Sequence, residues 1–176
     1  MRTIITIDPG TSNGGIAYYV DGTTTTIKNP KNDDVKKLYS FLKNVKEDHD
    51  DVIVFIEAVN MFVEDSSEQN KGKQFRIMEM VKNRHGIEVA CMILSIPYIL
   101  VYPRSWQSKI KNSINQDIEK KNAFKEYAQN CFPEINVTLW NADALCILQF
   151  AFDKLANNKA WIKKYIKNDK KNSLFS

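Results

Sequence analysis

The sequence predicts an α/β domain built on a mixed sheet, three antiparallel strands followed by parallel ones, with helices on both faces. Three observations carry this. The opening thirty residues hold three strand-like runs, Thr3 to Ile7, Gly14 to Val20 and Thr23 to Lys28, separated by short Gly-containing turns, which is the spacing of a meander. Val52 to Ile56 is an unbroken apolar run of strand length, the kind buried on both faces. A helical stretch lies between them, and a strand–helix–strand order makes a right-handed crossover that sets the first and fourth strands parallel.

The remaining elements follow from periodicity and punctuation. Asp33 and Asp34 start a helix to about Glu47, with Val35, Leu38, Leu42 and Val45 on one face. Residues 59–74 are polar and aperiodic, a loop. Lys73 to Ser95 reads as one long helix, or two divided at Gly86, with Met78, Val81, Val89, Met92 and Ile96 as its buried stripe. Tyr98 to Tyr102 is a short strand ended by Pro103. Residues 104–116 form a basic connection with one helical turn near Trp106. Asp117 to Phe132 returns to a helix, with Ile118, Phe124, Tyr127, Ala128 and Cys131 inward, and Pro133 ends it. Asn141 is placed to N-cap a helix to about Ala156. That helix is apolar nearly all round and therefore central. The reading is one domain over 1–156 and a basic tail over 157–176.

Composition narrows the class. A chain of 176 residues has room for one domain. No stretch reaches the ~18 apolar residues of a spanning helix; the longest, Val89 to Tyr102, is interrupted by Ser95 and Pro97. No signal-peptide apolar region fits before Pro9-Gly10. Three cysteines, Cys91, Cys131 and Cys146, form no CxxC pair, so neither a disulfide framework nor a zinc knuckle is supported. His49 and His85 lack metal-ligand spacing. The expectation is a cytoplasmic protein without a membrane partner. Charge is asymmetric: residues 1–100 hold 12 Lys+Arg against 14 Asp+Glu, whereas residues 101–176 hold 13 against 7. A basic half of this kind suits a phosphate backbone, and equally a solvated helical surface.

Three carboxylates fall where such a fold places chemistry. Asp8 ends the first strand before a Pro-Gly turn, Glu57 ends the fourth after five apolar residues, and Asp143 sits in the first turn of the central helix. If the first and fourth strands are parallel neighbours, Asp8 and Glu57 leave the same sheet edge, where open α/β folds bind ligands. Each also has a bland reading: turn chemistry for Asp8 and helix-dipole complementation for Asp143. Together they make an oxygen-only site suited to Mg²⁺ or Mn²⁺ rather than Zn²⁺. Two such ions roughly 3.5–4 Å apart activate a water and stabilise the leaving oxygen of a phosphodiester.

The run IDPGTSNGGIAYY, then VIVFIE, then PRSWQ after a strand, then NADAL opening a helix, resembles the RuvC-type Holliday-junction resolvases of the ribonuclease H-like superfamily, phage-encoded versions above all. The resemblance covers residues 3–156. It implies a ribonuclease H-like fold and a homodimeric, metal-dependent endonuclease that nicks opposed strands of four-way DNA junctions, in a bacterial cell or a phage-infected host. It implies Asp8, Glu57 and Asp143 as catalytic metal ligands, a two-metal site completed by substrate phosphate. Two positions depart from the family pattern. Trp140 stands where a fourth acid is usual, leaving Asn141 as the nearest polar side chain and a candidate neutral ligand, with Glu64, Asp65 and Glu68 as other substitutes. Asn60 stands where many relatives carry an aromatic, with Phe62 two positions on. Candidate DNA contacts are Lys73, Arg76, Arg104, Lys109, Lys111 and Phe62. Lys109 or Lys111 is also a candidate charge-stabilising lysine, and Trp106 is either core or a stacking residue. The Lys73 to Ser95 helix, with Ile77, Met80 and Ile87 beyond its stripe, is the expected dimer contact.

Three other readings stand beside this one. DPGTSNGG is similar to the phosphate loop of the actin, heat-shock-protein and sugar-kinase superfamily, but that architecture needs two domains and no second Gly-rich loop follows residue 100. A branched-DNA-binding protein that has lost catalysis would account for Trp140. A nuclease acting on flaps or RNA–DNA hybrids would keep the acids and change the substrate.

Overall fold

The computed structural model describes residues 2–10, 14–30, 34–59, 71–111 and 119–157. Within them the chain runs β1 (Thr3–Ile7), β2 (Gly15–Val20), β3 (Thr23–Lys28), α1 (Val35–Asp48), β4 (Val52–Glu57), α2 (Lys71–Ile93), β5 (Tyr98–Val101), α3 (Pro103–Ile110), α4 (Lys120–Cys131) and α5 (Ala142–Asn157). The sheet order is β3-β2-β1-β4-β5. β1–β2 and β2–β3 pair antiparallel, whereas β1–β4 and β4–β5 pair parallel. This is the mixed sheet that the meander and the apolar fourth run predict.

Strand alternation divides the interior into two cores. Ile5, Ile7, Val52, Val54 and Ile56 face α1 and α2, where they meet Leu38, Leu42, Ile87, Ala90 and Cys91. Ile4, Ile53, Phe55, Ile99 and Val101 face the opposite side, against Trp106, Phe124, Ala128 and most of α5. Covering on both sides explains why β1 and β4 carry apolar residues without the alternation of a half-wet strand. The central character of α5 holds: Ala144, Leu145, Cys146, Ile147, Leu148 and Ala151 are all fully buried. The cysteines are free, and burial pushes the Cys91 thiol up to about 12, which leaves it an inert core residue.

Several boundaries and faces differ from the sequence reading. α2 is continuous through Gly86, where an added Cβ would lie 3.7 Å from the Val35 side chain of α1. Its buried face is Asn83, Ile87, Ala90 and Cys91; Met78, Val89 and Met92 are exposed, and Ile96 is buried beyond the helix end. α2 carries apolar residues on two faces, so periodicity alone does not choose between them. Ile87, expected at a dimer contact, is spent inside the protomer. Pro103 does more than end β5: it occupies the first turn of α3, where its missing N–H costs nothing, and the single helical turn expected near Trp106 is an eight-residue helix. α4 begins at Lys120, and Asp117 and Ile118 lie outside the described residues. So do Asp33, Asn60, Phe62, Glu64, Asp65, Glu68 and residues 158–176 of the basic tail. Among the described residues no helix is long and apolar enough to cross a membrane.

Two glycines let the sheet edge close up. A Cβ on Gly14 would lie 2.5 Å from the Asp8 carbonyl oxygen and 2.6 Å from Gly10 N; one on Gly15 would lie 2.4 Å from the Trp140 carbonyl oxygen. Both obstacles are backbone, which cannot swing aside. Gly15→Ala is therefore expected to destabilise the protein by about 1–3 kcal/mol, measured by denaturant unfolding. Gly72→Ala, where nothing lies within 4 Å of the added methyl, is expected to be neutral or slightly stabilising, because alanine favours the helix.

Candidate active site

The site follows from strand parity. Ile7 pairs with Ile56 in the parallel β1–β4 ladder, so the next residues, Asp8 and Glu57, leave the same edge side by side. Ile4, Thr6 and Asp8 share one face of β1, and Ile53, Phe55 and Glu57 share one face of β4. That is the face covered by α5, whose first turn carries Asp143. Asp8 and Glu57 are each only 9% exposed, and Asp143 is half-buried.

Local contacts hold each acid. The Gly10 amide donates to Asp8 Oδ1 at 3.1 Å, the self-closing turn expected of Asp-Pro-Gly. Buried Asn83 of α2 donates from Nδ2 to the Pro9 carbonyl at 2.8 Å, fixing that turn from the other side of the sheet. Trp106 Nε1 donates to Glu57 Oε1 at 3.1 Å. Thr6 Oγ1 donates to the Ala144 carbonyl at 2.7 Å, which ties the first turn of α5, and Asp143 with it, to β1.

The electrostatics are those of acids buried together. Burial, then the Asp143 charge, pushes Asp8 up to about 7, against the Gly10 amide and the Lys121 charge. Burial, then Asp8 and Asp143, pushes Glu57 up to about 8, against the Trp106 hydrogen bond and Lys120. Burial raises Asp143 also, opposed by Lys121 and Lys120. Each carboxylate thus lies within the field of the others, and the cations that reach them are two exposed lysines at the start of α4. Among the described residues no three His, Cys, Asp or Glu side chains are gathered into a closed metal-holding group. The fit to a cation therefore rests on the donor set: buried Asp8 and Glu57 and half-buried Asp143, all of them oxygen acids.

The other expected residues are distributed differently. Asn141 is fully buried, but its carboxamide is committed elsewhere: Oδ1 accepts from Thr138 N and Oγ1 at 2.7 and 3.3 Å, and Nδ2 donates to Thr26 Oγ1 and the Asn136 carbonyl, both at 3.2 Å. It locks the turn before α5 and does not serve as a neutral ligand. Trp140 is half-buried at the same edge, with Lys28 Nζ 5.9 Å from its ring centre. Lys109 lies along the flank between α3 and α5, 4.0 Å from Asp153 and 5.4 Å from the Phe150 ring. Asp153 is ten residues beyond Asp143, roughly 15 Å along the helix. Arg104 and Lys111 are exposed on and just after α3; Arg76 is exposed on α2, donating to the Gly72 carbonyl, and Lys73 lies in the same helix. The lysines whose charge acts on the acids are Lys120 and Lys121, which the sequence presents only as part of its basic half. Trp106 is core, with a polar contact to Glu57 that its placement in the sequence did not announce.

No protein-family model matches the chain, and no curated protein matches it. Solved structures do. The chain is similar to Thermus thermophilus RuvC in complex with Holliday junction substrate, at 14% identity and a TM-score of 0.56, covering 84% of this chain and 90% of that one. It is similar also to a second Thermus thermophilus RuvC structure, at 16% identity and a TM-score of 0.54, covering 82% and 90%. The fold is RuvC-like. That places the chain in the ribonuclease H-like architecture, a sheet with helices on both faces. In this RuvC-like sheet Asp8 and Glu57 follow paired residues of β1 and β4 at one edge, and the Asp143 charge acts on both.

The pKa directions yield a pH dependence. Asp8 and Glu57 bind protons more tightly folded than unfolded, so their contribution to stability is present at low pH and is lost as pH rises from about 4 through about 8. In chelator-treated protein the melting temperature is expected to fall over that window. Glu57→Gln should flatten the fall and melt about 2–5 °C above the parent at pH 8.5, read by calorimetry; a variant that melts lower there contradicts the site's electrostatics.

Proposed function

We propose that this protein is a divalent-metal-dependent, structure-selective DNA endonuclease that resolves four-way junctions by hydrolytic nicking. What supports the reading is that Asp8, Glu57 and Asp143, from three separate elements, are raised by burial, with the Asp143 charge acting on both strand-end acids, at one sheet edge of a RuvC-like fold. A structural role does not call for this: burying three acids within each other's field opposes folding, and a hydrophobic edge would avoid the cost.

The donor chemistry suits Mg²⁺ or Mn²⁺, hard ions that take carboxylate oxygens and keep waters. Asp8, Glu57 and Asp143 would hold the metal, which supplies a nucleophilic water at neutral pH and neutralises charge on the reacting phosphate. Lys120 and Lys121 add positive charge at the rim, where they attract the phosphate and stabilise the extra charge it gains during attack. Phosphate contacts along Arg104, Lys109 and Lys111, with Lys73 and Arg76 of α2, would carry most of the ground-state affinity. With Trp140 in place of a fourth acid and the Asn141 amide committed to its turn, the described residues offer three anionic ligands, and substrate phosphate would complete the site.

Two nicks on opposed strands require two sites related by a two-fold axis, and the described residues of one chain hold one acid cluster, so the working unit would be a homodimer. The outward face of α2 supports this: Phe75, Met78 and Met92 are each more than half exposed, at spacings that return to one side of the helix. This face, not Ile87, is the proposed contact. The half-buried Trp140 favours one competing reading, a junction-binding protein of the same fold that does not cleave, and the same experiment separates the two.

Asp8→Asn, Glu57→Gln and Asp143→Asn are each expected to slow cleavage of a labelled four-way junction by at least about 100-fold, while junction affinity in Ca²⁺ or EDTA stays within about threefold. Parental cleavage by all three variants would remove the site. No cleavage by the parent in Mg²⁺ or Mn²⁺, with tight junction binding, would favour the non-cleaving reading. Met78→Glu combined with Met92→Glu is expected to convert a dimer to a monomer in sedimentation; a parent that sediments as a monomer with and without junction DNA contradicts the dimer.

A further inference from the structure

We infer that Trp106 is a positioning residue for Glu57: its indole N–H fixes one carboxylate oxygen and so sets the orientation in which the acid meets a cation. The inference rests on the site proposed above and deepens it. Trp106 is fully buried, and a buried indole N–H needs an acceptor. Its acceptor is Glu57 Oε1, at 3.1 Å, across 49 positions of sequence.

The chemistry of the donor matters. An indole N–H donates only and carries no charge, so it can orient a carboxylate without neutralising it. A lysine or arginine in the same place would pair with Glu57 and compete with any incoming cation. The mount is also rigid. Trp106 packs at a tilt against Phe124, with ring centres 5.0 Å apart. The adjacent side chain extends the arrangement: Gln107 Oε1 accepts from Lys120 Nζ at 2.8 Å, and Lys120 is the cation that most opposes the rise in Glu57. Consecutive residues of one short helix therefore hold an acid of the site and the lysine facing it.

The test is Trp106→Phe, which keeps a ring in the core and deletes the N–H, beside Ile110→Ala, which loosens the same helix without touching Glu57. In Trp106→Phe the maximal cleavage rate is expected to fall about 10–100-fold, the range for losing a group that orients a metal ligand, with the half-saturating Mg²⁺ concentration raised and junction affinity in EDTA unchanged. Ile110→Ala should lower the melting temperature yet keep the parental Mg²⁺ dependence. A readout independent of turnover is the Trp106 indole resonance in a ¹H–¹⁵N spectrum of DNA-free protein: Mg²⁺ should shift it in the parent and leave it in place in Glu57→Gln. If Trp106→Phe does not fold, this titration decides alone. A parental Mg²⁺ dependence in Trp106→Phe, an equal change in Ile110→Ala, or an indole resonance indifferent to Mg²⁺ overturns the inference. Parental cleavage by Glu57→Gln would instead remove the underlying site, so the two failures are told apart.

Discussion

Buried negative charge without an internal partner is the constraint on which the rest of this structure turns. Asp8 and Glu57 are as buried as core residues, with Asp143 beside them. Isolated ionised carboxylates resist removal from water, and a buried group ordinarily neutralises itself or finds a partner. Here burial and mutual repulsion raise the proton affinity of both strand-end acids above the ordinary carboxylate range. The two-layer core, with β1 and β4 covered on both faces, provides the apolar burial that offsets an edge of this kind. What would relieve the edge is a cation.

The contacts that hold the acids share a property. Gly10 N–H, Trp106 Nε1–H, the Thr6 hydroxyl and the Asn83 amide are all neutral. They fix backbone and side-chain geometry while leaving the charge of the site in place. The positive groups, Lys120 and Lys121, stand exposed at the rim, where water screens them and where they remain available to a ligand. Division into neutral holders inside and cations outside is what a site awaiting a positive ion and a negative substrate requires. Gly14 and Gly15 belong to the same design, because they allow the Asp8 turn and the entry to α5 to approach one another through backbone alone.

The parts of this arrangement legible in the sequence are those set by local pattern. β-branched runs bounded by glycine defined the meander, the unbroken VIVFI run defined a doubly covered strand, and parallel pairing of β1 with β4 then brought Asp8 and Glu57 to one edge. Asp143 followed because α5 is apolar nearly all round and must be central. The illegible parts depend on tertiary approach. α2 has two apolar faces, so the buried one is chosen only by what it packs against. Asn141 looks like an N-cap or a ligand from position alone, whereas the turn at Thr138 consumes its amide. The Trp106 hydrogen bond exists because α3 folds back over the β4 edge, and Lys120 reaches the acids because α4 starts there; neither approach has a signature within a few residues.

The central claim is that the acid cluster is a cation site. The most direct measurement is isothermal titration of Mn²⁺ into DNA-free protein near pH 7, in two buffers of different ionisation enthalpy, which counts protons released per ion bound. The account predicts binding accompanied by proton release, because the ion displaces protons from Asp8 and Glu57, and loss of both in Asp8→Asn. Absence of binding, or binding that releases no protons and persists in Asp8→Asn, would contradict it.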